Sequence, residues 1–126
     1  MSVVAPRILV ADDEPALRAL VVVTLGSEYS CDEADSGDAA LVRLHAADYD
    51  LVVLDLMMPG RSGFDVLHEM RADERLHDVP VVVMSAWQSA EDTEGALAAG
   101  ADSFVSKPFQ PEQLLATVRE LVEDGA

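Results

Sequence analysis

The chain is short of positive charge, cysteine, aromatic residues and long apolar runs, and each shortage removes a class of function. Eight Lys and Arg stand against 24 Asp and Glu in 126 residues, a formal net charge of -16. Nucleic acid and anionic lipid are held by clustered basic residues, so neither is expected as a direct ligand, and proteins or cations are the expected partners. The one cysteine, Cys31, has no internal disulfide partner and suits a reducing compartment. Its plain reading is a small buried residue in a strand. No apolar run approaches the roughly 20 residues that span a bilayer. The start Met1-Ser2-Val3-Val4-Ala5-Pro6 lacks the basic opening and apolar centre of a signal peptide, so a cytoplasmic location is expected. Lysine occurs once, at Lys107, against seven arginines.

What is present fits one domain, residues 1–126, with half its residues hydrophobic and able to form a core. Leu51-Val52-Val53-Leu54 is the kind of unbroken apolar run that a strand buried on both faces shows, and it ends in Asp55 and a turn marked by Pro59 and Gly60. Arg7 to Ala11 reads as a first buried strand ending at Asp12-Asp13-Glu14-Pro15, with Pro15 opening a helix whose face is expected to be Leu17, Leu20, Val21 and Thr24. Tyr29 to Ala34 has the polar interruptions of an edge strand. A second helix starts at Ser36-Gly37-Asp38 and turns Ala40, Leu41 and Leu44 inward. A third opens at Ser62-Gly63 with Val66, Leu67 and Met70 inward. Val79 to Met84 reads as a fourth strand delivering Ser85. A polar loop from Ala86 to Asp92 leads to a weak fourth helix containing Ala96 and Leu97. Phe104-Val105 is the heart of a fifth strand ending at Ser106-Lys107-Pro108. Pro111 starts a last helix with Leu114, Leu115, Val118, Leu121 and Val122 on one face.

Five strands alternating with five helices predict an α/β fold, a doubly wound five-stranded parallel sheet. The order 2-1-3-4-5 is borrowed from flavodoxin-like sheets, in which strands one and three meet at the switch point where ligands bind. That order brings Asp12, Asp13 and Asp55 to one crevice, with Ser85 and Lys107 closing it. Taken alone, Asp12-Asp13 reads equally well as helix-capping acids. Facing Asp55, three carboxylates repel one another unless their pKa values rise or a cation sits among them, and an all-oxygen set suits Mg2+. An ionised Asp is also a nucleophile toward phosphorus. The Lys107 ammonium and the Ser85 hydroxyl are then placed to compensate charge on a transferring phosphoryl group.

Asp12-Asp13, Asp55, Ser85 and Lys107-Pro108-Phe109, with Met57-Met58-Pro59-Gly60-Arg61-Ser62-Gly63 and Ala98 to Phe104, resemble the signature of a two-component response-regulator receiver domain over essentially the whole chain. The resemblance implies that Asp55 accepts a phosphoryl group from a histidine kinase, a phosphotransfer protein or a small donor such as acetyl phosphate. It implies Mg2+ bound by Asp13 and Asp55, by Asp12 directly or through water, and by the Met57 carbonyl. It makes Ser85 and Phe104 a switch, although Phe104 also reads as a core residue, and it makes the peptide from Lys107 to Pro108 cis. The output face would be the fourth helix, fifth strand and fifth helix, serving an effector protein or domain or a phosphorylation-dependent homodimer. Ser103 and Thr117 stand where one subfamily pairs acids with an Arg for dimerisation, which weakens that particular dimer. Met57 and Trp87 occupy the two positions that tune dephosphorylation, where neither activates water. A shield over the acyl phosphate is therefore expected, while Trp87 reads equally well as an exposed interaction residue. The chain would be no enzyme beyond assisting its own phosphorylation and dephosphorylation.

Three other classes compete. A haloacid-dehalogenase-like phosphatase wants a second Asp two residues after the nucleophile, where Met57 stands. A flavodoxin-like binding module wants a hydroxyl- and Gly-rich loop after the first strand, where Asp12-Asp13 would repel a phosphate. A receiver-like adaptor that is never phosphorylated is disfavoured by the intact acidic cluster. His45, His68 and His77 are far apart without metal-ligand spacing and read as solvated surface.

Overall fold

Three short apolar runs dictate the centre of the molecule. In the computed structural model, which describes residues 5–85 and 90–124, they form β1 (Arg7–Ala11), β3 (Leu51–Asp55) and β4 (Val81–Ser85), with β3 and β4 buried at every position. The flanking strands are β2 (Ser30–Ala34) and β5 (Ser103–Ser106), and the sheet order is β2-β1-β3-β4-β5, parallel throughout. The partly exposed pattern of β2 is that of an edge strand, with Asp32 and Glu33 as the charges that discourage further pairing.

Because side chains alternate across a strand, the sheet builds two cores. Leu9, Val52, Leu54, Val81 and Val83 face one way. They pack with Ala40, Leu41 and Leu44 of α2 (Gly37–Ala46), Val66, Leu67 and Met70 of α3 (Gly63–Ala72) and Ala96 of α4 (Ala90–Ala98). Ile8, Val10, Val53, Val82 and Met84 face the other way, against Val21 and Leu25 of α1 (Pro15–Leu25) and Leu114 and Val118 of α5 (Pro111–Asp124). Ser36 caps α2, and Ser62 and Asp65 form a reciprocal capping box on α3, so both helix starts are fixed by their own sequence.

Several boundaries differ from the reading of the sequence. Leu20 is 46% exposed, and the inner face of α1 is Leu17, Val21 and Leu25. Leu20 to Val23 is apolar all round, so periodicity alone does not fix the phase of that helix. The fourth helix begins at Ala90, earlier than the end of the expected loop, and Leu97 stands outward beside buried Ala96. The fourth strand starts at Val81, leaving Pro80 just outside the ladder, where its missing N–H costs nothing. Cys31 is half-buried, and burial pushes its thiol up to about 11, so it is inert rather than reactive.

Candidate cation and phosphoryl site

β1, β3 and β4 stop where their apolar runs stop, which places the first polar residue of each at the sheet's carboxyl edge, and β5 ends one residue before Lys107. Asp12 follows β1, Asp55 and Ser85 end β3 and β4, and Lys107 follows β5. Gly63 sets the depth of the crevice. A methyl group on it would collide with the Asp55 carbonyl and with Leu56 Cα, so α3 starts hard against the end of β3 only because residue 63 has no side chain.

Asp12, Asp13 and Asp55 each present a carboxylate oxygen within 4.8 Å of the others. Asp12 and Asp55 are buried and Asp13 is exposed, so the cluster opens to solvent on one side. Lys107 Nζ lies 3.0 Å from Asp12 Oδ2 and 3.2 Å from Asp55 Oδ2. Asp55 Oδ1 accepts the Met57 N–H at 3.2 Å, and Asp12 Oδ1 accepts the Glu14 N–H at 2.9 Å. The N-cap of α1 is Glu14, so neither Asp12 nor Asp13 caps that helix, which removes the simpler reading of the pair. Asp12 Oδ2 is enclosed and makes no well-directed hydrogen bond; its contact with Lys107 is ionic.

Burial is the main force on Asp55, pushing its carboxyl from the ordinary 3.8 up to about 6. The Met57 N–H and Lys107 pull against that shift and Asp12 adds to it. Burial also works to lower the Lys107 pKa, but the attraction of the Asp12 and Asp55 carboxylates outweighs it, and the pKa is raised. Three carboxylates and one ammonium sum formally to -2, the complement of a divalent cation. An enclosed carboxylate oxygen without a directed donor, beside an exposed carboxylate, is a donor set that a hard, oxygen-seeking metal fits.

Ser85 is buried at the end of β4, and its carbonyl accepts the Lys107 N–H at 2.8 Å, which ties the lysine to the strand beside it. Phe104 is half-buried, registered against Val83 and packed on the core layer beneath α2, α3 and α4. Met57 gives its N–H to Asp55 while its side chain, 66% exposed, stands largely in solvent. The peptide from Lys107 to Pro108 is cis, as expected. Trp87 lies outside the described residues. His45, His68 and His77 are exposed.

One residue at the site escaped the sequence reading. Arg18 reaches from α1 to the Asp12 carbonyl, Nη1 to O 2.7 Å, and to Glu33 on β2, Nε to Oε1 2.9 Å. The available signal was that Arg18 is the one charged residue in the otherwise apolar run of α1.

A doubly wound parallel sheet that gathers acids around one ammonium at its switch point defines an α/β protein with an acidic cluster that could hold a cation at that edge. The sequence model of the response regulator receiver domain matches residues 8–119, and the chain belongs to that family. It is 39% identical over 120 residues to the DNA-binding response regulator MtrA of Mycolicibacterium smegmatis, covering 94% of this chain and 51% of that protein. It is 34% identical over 119 residues to the phosphate regulon transcriptional regulatory protein PhoB of Escherichia coli, covering 94% of this chain and 52% of that one. The chain thus spans about half the length of the curated relatives it matches. Among solved structures, the receiver domain of the Francisella response regulator 1452 aligns with a TM-score of 0.90 at 29% identity, over 96% of this chain and 99% of that one. The chemotaxis protein CheY4 of Vibrio cholerae aligns at 0.88 and 29% identity, over 93% and 98%.

Proposed function

We propose that the domain is a phosphoryl-accepting switch in which Asp55 is the nucleophile. One observation carries the reading: Asp12, Asp13, Asp55 and Lys107, separated by up to 95 positions in sequence, converge within contact distance at one edge of the sheet. An Asp55 carboxylate oxygen attacks the phosphorus of a phosphohistidine or of acetyl phosphate. The new P–O bond makes an acyl phosphate, and the donor's P–N or P–O bond breaks with its electron pair leaving on the donor. Asp12, Asp13 and Asp55, with the Met57 carbonyl, would hold the Mg2+ ion expected here, which would supply charge neutralisation at phosphoryl oxygens. Lys107, already paired with Asp55, exchanges that contact for a phosphoryl oxygen and keeps the incoming charge compensated.

The Ser85 hydroxyl then closes on the phosphoryl group and Phe104 moves inward behind it, altering the face made by α4, β5 and α5. The half-buried setting of Phe104, on the same core layer as Ser85's strand neighbour Val83, supports this route. The phosphoryl donor is a histidine kinase or phosphotransfer protein, and the output an effector protein or domain, as the double length of DNA-binding relatives suggests. Phosphorylation-dependent homodimerisation through the same face is part of the proposal. With a net charge of -16 the domain itself does not bind nucleic acid or an anionic membrane. Among the described residues no helix is long and apolar enough to cross a membrane. Action in the cytoplasm is part of the proposal and is consistent with the family. The domain turns over no other substrate.

Intact mass after incubation with acetyl phosphate and Mg2+ tests this, with wild type beside Asp55→Asn. A gain of about 80 Da in wild type alone is the expected result. No gain, repeated with a phosphohistidine donor, overturns it in favour of a phosphorylation-independent adaptor.

A further inference from the structure

We infer that Arg18 is a positioning residue for the acidic cluster, fixing by its guanidinium the peptide that joins Asp12 to Asp13. The inference rests on the reading of that cluster as a metal-binding site. Asp12 is the last residue guided by the sheet: its N–H donates to Ala34 O at 3.0 Å, continuing the pairing of β1 with β2. Its carbonyl, which belongs to the peptide leading into Asp13, lies beyond the ladder and accepts Arg18 Nη1 at 2.7 Å. The guanidinium is held in turn by Glu33 Oε1 at 2.9 Å, and the side chain is 17% exposed. Glu33 sits on β2 next to Ala34, so Arg18 spans α1, the end of β1 and the end of β2 with one planar group.

Both ends of the Asp12 backbone are thereby fixed, and Oδ1 is fixed by the Glu14 N–H, which leaves Oδ2 as the atom turned toward Lys107. Rotation of the peptide between residues 12 and 13 would redirect the side chain of Asp13, the exposed member of the cluster. Partners of this kind, which orient a ligand without touching the metal, are usually as important to affinity as their distance from it suggests they should not be: their loss typically costs 10- to 100-fold.

The sign of the effect separates positioning from plain charge. Arg18 is a cation close to a site that would take a cation, so Coulomb's law alone makes its removal strengthen Mg2+ binding. Positioning makes removal weaken it. Arg43 provides the control. It lines the same 280 Å³ cleft as Arg18 and Glu33 and donates instead to the Glu33 carbonyl at 2.9 Å.

The test is calorimetric titration of Mg2+ into the full chain at fixed pH and ionic strength, comparing wild type, Arg18→Met, Arg18→Lys and Arg43→Met, with circular dichroism checking each fold. Arg18→Met, which keeps the aliphatic stem, is expected to bind Mg2+ about tenfold more weakly. Arg18→Lys, offering one nitrogen where the guanidinium offers two, falls between it and wild type, and Arg43→Met binds as tightly as wild type or more so. Unchanged or tighter binding in Arg18→Met overturns the inference alone, as does an equal loss in Arg43→Met. If Arg18→Met does not fold, wild-type affinity in Arg18→Lys overturns it. Absence of Mg2+ binding by the wild type overturns the metal reading and this inference together.

Discussion

Replacing the proposed nucleophile should make the metal-free domain more stable. Asp55 is buried, and its carboxyl is held at about 6 against an ordinary 3.8. A folded pKa above the unfolded one means that the folded state binds more protons between those values. The resulting penalty is absent below about 3.8 and grows as pH rises through 6. Fully developed, it amounts to about 3 kcal/mol from the linkage between pKa and stability. Asparagine resembles the neutral carboxyl, so Asp55→Asn should raise the unfolding free energy by about 1–3 kcal/mol at pH 7.5 in EDTA, the lower figure allowing for an amide that replaces the carboxyl's contacts imperfectly. At pH 4.5 the gain should fall to about a third of that. Urea unfolding of both proteins at the two pH values reads the difference directly, and the titration of groups remote from the site cancels in the comparison. Saturating Mg2+ should narrow the gap or reverse the ranking, because a ligand at a hundredfold its Kd adds about 2.7 kcal/mol to whichever protein binds it. If Asp55→Asn were less stable than wild type by 1 kcal/mol or more at pH 7.5 in EDTA, burial would not be the dominant force on Asp55 and the electrostatic account would be wrong.

Three further outcomes follow from the packing and the site. Gly63→Ala should cost about 1–3 kcal/mol and weaken Mg2+ binding together, since its methyl displaces the end of β3; a stability loss with unchanged affinity would separate the two. Arg71 donates to the carbonyls of Gly100 at 2.7 Å, Val79 at 2.8 Å and His77 at 3.0 Å and to Asp102 at 3.1 Å, stapling α3 to the turns that lead into β4 and β5. Arg71→Ala should therefore cost about 2–4 kcal/mol by chemical denaturation, and a loss under 1 kcal/mol would mean that water replaces the guanidinium freely. The double variant Met57→Asn with Trp87→Glu, which supplies groups able to orient water, should shorten the acyl-phosphate half-life about tenfold or more, followed by mass spectrometry over time. A half-life unchanged or lengthened would remove the shield assigned to those side chains.

The parts of the molecule that were readable in the sequence share one property: their signal is local. β1, β3 and β4 are unbroken apolar runs that end in a polar residue, so their existence and the position of Asp12, Asp55 and Ser85 could be read together. The order of the strands was not readable in that way and came from analogy with other doubly wound sheets. Helix phase failed at Leu20, where four consecutive apolar residues give no preferred face. The start of α4 was missed because Ala90-Glu91-Asp92 has helix formers but no apolar stripe. Arg18 and Arg71 were invisible for a different reason. Each acts on main-chain carbonyls of other elements, and no periodicity or motif announces which carbonyl a long side chain will reach.

The single lysine also has a practical meaning. With one side-chain amine in the sequence, lodged at the centre of the site and only 10% exposed, Lys107 is a ready-made address for isotope labelling. Reductive methylation with enriched formaldehyde would put one side-chain NMR reporter between Asp12 and Asp55 without any mutation. The rate at which that amine reacts would then measure how often the crevice opens.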